Sequence, residues 1–110
     1  MNTKENKTQD KHRSQYQKLE DVVGCKWSVS VLLAIVSGTN RPGALQREIN
    51  GISVKVLSER LRKLTSYGLI SKRTFAEVPP RTMYSITESG RKLISIIEQI
   101  RLLDRELGSD

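Results

Sequence analysis

Lys55, Arg60, Arg62 and Lys63 crowd the stretch 53–67, opposed there by Glu59 alone. Ammonium and guanidinium groups at that density neutralise phosphodiesters, and the counterions they release drive binding to a polyanion. Ser53, Val56 and Glu59 add chemistry suited to base edges. A hydroxyl bonds to several bases, an apolar group meets a thymine methyl, and a carboxylate accepts from cytosine N4. Lys72, Arg73 and Arg81, against Glu77, form a second cationic group, and Lys4, Lys7, Lys11 and Arg13 exceed Glu5 and Asp10 in a third. These stretches carry +3, +2 and +2, the whole net charge of +7, so the rest of the chain is neutral. An excess confined in this way fits double-stranded DNA as partner. A charged face kept only for solvation reads the same from the stretch 53–67 alone.

Other chemistries lack their groups. No carboxylate pair, nucleophile–base pair or metal-ligand cluster stands out, so neither an enzyme, a metal site nor a cofactor is expected. The one cysteine excludes an intrachain disulfide, and the one histidine, His12, sits in a polar tail without a partner histidine. With 110 residues and 36% hydrophobic content the chain reads as one globular domain with an aliphatic core. No apolar run approaches a membrane span, and the polar start has no signal-peptide core, so a cytoplasmic protein is expected.

The cations need a helix to carry them. Val54, Leu57, Leu61 and Leu64 make one apolar stripe, Ser53 is a suitable N-cap, and Gly68 supplies a stop. The opposite face then carries Lys55, Val56, Glu59, Arg62 and Lys63, with Arg60 on its flank. Before it, residues 43–50 form a short helix with Ala44, Leu45 and Ile49 inward, and Asn50-Gly51 a turn. Helix, short turn and helix is the helix-turn-helix order, although a helical hairpin that binds no nucleic acid has the same spacing. Upstream, residues 15–23 form an amphipathic helix with Tyr16, Leu19, Val22 and Val23 inward. Residues 26–36 are apolar nearly all round, as befits a central helix.

Downstream the period shortens. Residues 69–75 and 82–87 are strand-like, joined by the proline-stiffened loop 76–81. A β-hairpin directly after the second helix of the pair is a wing, whose Lys72, Arg73 and Arg81 would reach phosphates or a minor groove. An ordinary edge hairpin blunted by charge is the plainer alternative. Thr87 caps a final helix in which Leu93, Ile96, Ile100, Leu103 and Leu107 step by three and four, broadened by Ile94, Ile97 and Leu102. Half of that face would pack on its own core and half on a second copy of the chain. Dimerisation is thus assigned to Tyr16, Leu19, Leu93, Ile96, Ile97, Ile100, Leu103 and Leu107; a helix absorbed wholly by its own domain is the alternative. A two-fold dimer would set its reading helices about 34–36 Å apart, or a multiple, on a palindrome. The expected organisation is a disordered basic tail over 1–14, a domain over 15–107 with terminal dimerisation helices, and a flexible end at 108–110. Its class is mainly α with a small β-hairpin, a winged helix-turn-helix.

Several short motifs resemble the HxlR type of bacterial and archaeal regulator, close in fold to the MarR group. They are Gly24-x-Lys26-Trp27, Gly51-Ile52-Ser53-x-Lys55-x-Leu57, Leu61-Arg62-x-Leu64, Tyr67-Gly68-Leu69-Ile70, Glu77-Val78-Pro79-Pro80-Arg81 and Tyr84-x-Ile86-Thr87-x-x-Gly90. The resemblance spans residues 16–107. It implies a homodimeric transcription regulator, with the helix after Ser53 in the major groove, the wing at Arg81 on flanking backbone, and terminal helices at the dimer interface. Many relatives carry a Cys-Pro sensor about twelve residues before the lysine of Lys26-Trp27; here Ser14-Gln15 stands there. The chain has Cys25 instead, either a redox sensor activated beside Lys26 or an inert small hydrophobe against Trp27. A small-molecule effector is left open as well. The rival function is a winged-helix protein–protein interaction module, which would need an apolar groove where this face is basic.

Overall fold

The computed structural model describes residues 14–108. The expectations for the tail over 1–13, His12 included, lie outside the described residues, as do positions 109 and 110. Helix α1 spans Gln15–Val23. Ser14, assigned by composition to the tail, is its N-cap: Gln17 N donates to Ser14 Oγ and Ser14 N donates to Gln17 Oε1, each at 3.1 Å. This reciprocal pair satisfies two otherwise orphaned amides.

Helix α2, Lys26–Val36, buries Ser28, Val31, Leu32, Ala34 and Ile35. Each large apolar side chain so buried contributes about 1.5–3 kcal/mol, so α2 is the axis of the core. Every other major element is laid against it or against a helix that touches it.

Helix α3 runs Pro42–Glu48, starting one residue before the expected bound and ending two before it. Proline at the first helical position has its φ already set and lacks an N–H that would go unsatisfied there. At the other end Ile49 turns extended, at φ −88° and ψ 102°. Ile49 and Ile52 are both buried and bracket the turn, where Gly51 takes φ +87°. Helix α4, Val54–Ser66, then begins at Ser53, whose Oγ accepts from Val56 N at 3.1 Å. It stops at Gly68, whose φ of +77° suits glycine.

Strands β1, Ile70–Phe75, and β2, Arg81–Ile86, pair antiparallel, with Ile70 opposite Ile86, Lys72 opposite Tyr84 and Phe75 opposite Arg81. Arg81 is thus the first residue of a strand rather than the last of the loop. Tyr84 N donates to Asn40 O at 2.8 Å, which ties the hairpin to the connection between α2 and α3. Helix α5 spans Glu88–Gly108, so Gly108 closes a helix where a flexible end was expected. Thr87 caps it, its Oγ1 accepting from Gly90 N at 3.0 Å and donating to Gly68 O at 2.7 Å. The whole is a winged helix-turn-helix, mainly α with a two-stranded hairpin.

Two expected inward positions and part of the expected dimer face are revised. Val54 is 60% exposed, because α4 overhangs the core at its first turn and the stripe proper is Leu57, Leu61 and Leu64. Tyr16, at 71%, lies outside the core altogether. On α5, Leu93 and Ile97 are buried in the domain's own core and Leu19 packs against it, which leaves Ile96, Ile100, Leu103 and Leu107 exposed.

Candidate nucleic-acid interface

The buried stripe of α4 fixes which side chains remain outside. With Leu57, Leu61 and Leu64 against α2, the exposed residues are Ser53, Val54, Lys55, Ser58, Arg62 and Ser66. At 100° per residue these share one face. The expected outward set of Lys55, Val56, Glu59, Arg62, Lys63 and Arg60 is rotated from this face. Val56 is half-buried and packed against the core, and Glu59, Arg60 and Lys63 are half-buried as well.

The rotation has a cause in α1. Lys63 Nζ donates to Asp21 Oδ2 at 2.9 Å, and Tyr67 Oη donates to the same oxygen at 3.2 Å. Lys18 Nζ stands 5.8 Å from the centroid of the Tyr67 ring. This partly buried cluster holds α1 against α4 and directs Lys63 sideways, away from the exposed face. Replacing Asp21 with alanine is expected to lower stability by about 1 kcal/mol while releasing Lys63. In a salt titration of DNA binding the slope should then steepen by about one per protomer. An unchanged slope would show that Lys63 already contacts phosphate.

Arg60 lies on the same flank of α4 as Lys63 and Tyr67, with which it lines a shallow pocket, and its Nε is buried without a hydrogen-bond partner. Cys25 is half-buried at the N-cap of α2. Burial raises the pKa of its thiol. The Ser28 hydroxyl and amide, the Arg60 guanidinium and the Trp27 amide outweigh that and hold it below the ordinary cysteine value. A pKa lower in the folded chain than in the unfolded one makes the thiolate stabilising; that contribution is full above the unfolded value and lost as pH falls through the folded one. Alkylation by iodoacetamide should therefore reach half-maximal rate at a lower pH in the folded protein than in denaturant, and Ser28→Ala should move it upward. Coincident folded and unfolded profiles would contradict the assignment.

The wing presents two of its three cations. Lys72 and Arg73 are exposed, whereas Arg81 is committed within the hairpin. Its guanidinium pairs with Glu77 at 3.0 Å and lies 4.2 Å from the Phe75 ring centroid, with Nε buried. Arg73 approaches the same ring at 5.0 Å. Phe75 between two guanidiniums stiffens the hairpin through cation–π contact, so Arg81 shapes the wing. Between α4 and the wing lies a groove of about 570 Å³, lined by Ser58, Arg62, Thr65, Ser66, Lys72 and Tyr84 among others. Arg62 and Lys72 flank it from opposite elements, and four hydroxyl-bearing side chains, Ser58, Thr65, Ser66 and Tyr84, line it between them. Two cations set this way fit a phosphodiester passing from helix to wing. Val54 and Ser58, which sequence periodicity did not single out as site residues, lie on the same exposed face; only the docking of α1 and α2 reveals them.

Comparison with known proteins places the chain among regulators. Residues 22–108 match the family model described as HxlR-like helix-turn-helix. An uncharacterized HTH-type transcriptional regulator of Synechocystis sp. PCC 6803 is 36% identical over 99 residues, 90% of this chain and 70% of that protein. The uncharacterized HTH-type regulator YkvN of Bacillus subtilis is 35% identical, over 77% of this chain and 72% of its own. Among solved structures, a protein of Enterococcus faecalis assigned to the MarR family of transcriptional regulators superposes with a TM-score of 0.73 at 30% identity, covering 81% of each chain. The redox regulator HypR in its reduced form gives 0.73 at 29% identity, over 84% of this chain and 92% of that one.

Proposed function

Because the chain belongs to the HxlR-like helix-turn-helix family and is a transcriptional regulator of that type, we propose that it acts as a homodimer on a palindromic duplex operator. Helix α4 enters the major groove through its exposed face, and the wing follows the flanking backbone. The observation that carries this reading is the convergence of Arg62 and Lys72 across the groove between α4 and the wing, beside the exposed Lys55 and Arg73. Cationic side chains from two successive elements then share one run of phosphates, which supplies most of the affinity.

Dimerisation rests on α5. Ile96, Ile100, Leu102, Leu103 and Leu107 are each at least 45% exposed, with Leu107 at 77%. Of these, Ile96, Ile100, Leu103 and Leu107 share one face of the helix; an apolar patch of that length on a lone subunit marks an interaction surface, and an antiparallel or crossed pairing with a second α5 covers it. Tyr16 on α1, 71% exposed, is a further large side chain available to that interface. Cys25 is the place where a redox effector would act on this chain, being its one cysteine and half-buried at the N-cap of α2.

Sedimentation of the purified chain at micromolar concentration is expected to give twice the subunit mass, and Ile100→Lys with Leu103→Lys to give single subunits. On a palindrome drawn from the DNA flanking its gene, inserting five base pairs between the half-sites should abolish tight binding, because it turns one half-site to the opposite side of the duplex. Tolerance of that insertion, or salt-independent binding to a protein with none to DNA, would overturn the proposal.

A further inference from the structure

We propose that Val54 is a base-reading residue, and that what it reads is the C5-methyl group of a thymine in each half-site. The inference rests on the DNA-binding reading above and names a contact within it. Val54 occupies the first helical position of α4 and is 60% exposed, on an element whose other apolar side chains turn inward. It shares the exposed face with Ser58 and Arg62, which follow at four-residue steps, so the three form one line along the helix. The first turn of a reading helix is the part that meets base edges. Of the groups displayed in the major groove, the thymine methyl is the apolar one. A branched apolar side chain held there with no partner in its own subunit matches that methyl and none of the hydrogen-bonding edges.

The competing candidate is Val56, two residues on. It is half-buried against the core, on the side of α4 that α1 and α2 cover, and is not positioned to meet a base. Ser58 lies about 6 Å further along the helix axis than Val54 with its hydroxyl exposed, where it would bond to a neighbouring base edge. The line thus passes from an apolar contact through a hydroxyl to the guanidinium of Arg62, which shares the groove with Lys72.

Replacing single thymines by deoxyuridine deletes only the methyl and so isolates this contact. The full chain is first used to select its binding sequence from random duplexes. Dissociation constants are then measured on the selected duplex for the parent and Val54→Ala, with each thymine exchanged in turn. At one thymine per half-site the exchange is expected to weaken the parent about fourfold, and about fifteenfold when both half-sites are changed. Val54→Ala should show no loss at that position while melting with the parent, since its side chain is exposed. Val56→Ala should be less stable yet keep the methyl sensitivity. If the parent selects a sequence but tolerates every exchange, or if Val54→Ala loses as much as the parent, Val54 does not read a methyl and the DNA-binding reading survives. If the parent selects no sequence at all, that reading fails and this inference with it.

Discussion

Exchanging Arg62 and Lys72 together for glutamine should weaken operator binding about a thousandfold at physiological salt and flatten its salt dependence by a slope of about 3.6. The magnitude follows from counting. The double variant removes two cations from each protomer, four from the dimer. Each phosphate neutralised contributes about 0.9 to the slope, equivalent to about 1 kcal/mol at physiological salt. Arg62 and Lys72 are chosen because they flank the groove between α4 and the wing. The informative control is a second double variant, Lys63→Gln with Arg81→Gln. Those side chains are held by Asp21 and Glu77, at 2.9 and 3.0 Å, so their loss should leave the slope nearly unchanged. Equal losses from both double variants would show that position on the exposed face does not decide which cations meet DNA.

The largest expected effect on stability lies away from the cations, at Gly90. A Cβ built there would stand 2.1 Å from the carbonyl oxygen of Leu69 and 2.6 Å from Cδ1 of Ile86. The Ile86 side chain can turn aside, but the Leu69 carbonyl cannot. It accepts from Thr87 N at 3.1 Å while Thr87 Oγ1 donates to Gly68 O at 2.7 Å, so strand, turn and helix start are locked together. Gly90→Ala must therefore push α5 off the hairpin, at about 3 kcal/mol. For a domain of this size that is a fall in melting temperature of roughly 15 °C, read by circular dichroism. Gly108→Ala, with nothing within 4 Å, is the matched control and should melt with the parent. Because α5 carries the apolar face assigned to the dimer, Gly90→Ala should also weaken self-association.

Much of this architecture was legible in the residues. The switch from helical to strand period after Gly68, the caps Ser53 and Thr87, and the apolar helix Lys26–Val36 each state their structure locally, because caps and periodicity depend on neighbours within one or two turns. The HxlR resemblance agreed with them. What was not legible was the rotation of α4. A stripe of Val54, Leu57, Leu61 and Leu64 shows that the helix has an apolar side, but not where the core ends beneath it or what covers its flanks. Asp21, more than forty positions before Lys63, decides that this lysine is held sideways, and no local pattern encodes so distant a pairing. Arg81 is similar on a smaller scale. Its charge is plain, yet its commitment depends on the hairpin register that puts it opposite Phe75 and on the turn that returns Glu77 to it. The same blindness set Val54 in the core, where it is 60% exposed, and Val56 on the outward face, where it is half-buried against the core.

The central claim, that a paired scaffold presents a defined set of cations to duplex DNA, is tested most directly by one titration. Binding of the parent to its palindromic operator is followed by fluorescence anisotropy across salt concentration. With Lys55, Arg62, Lys72 and Arg73 engaged on both protomers, log Kd should rise against log salt with a slope of about 7. A slope near 13 would mean that Arg60, Lys63 and Arg81 also reach phosphate, against the geometry of the exposed face. Binding that ignores salt, or no binding, would contradict the claim itself.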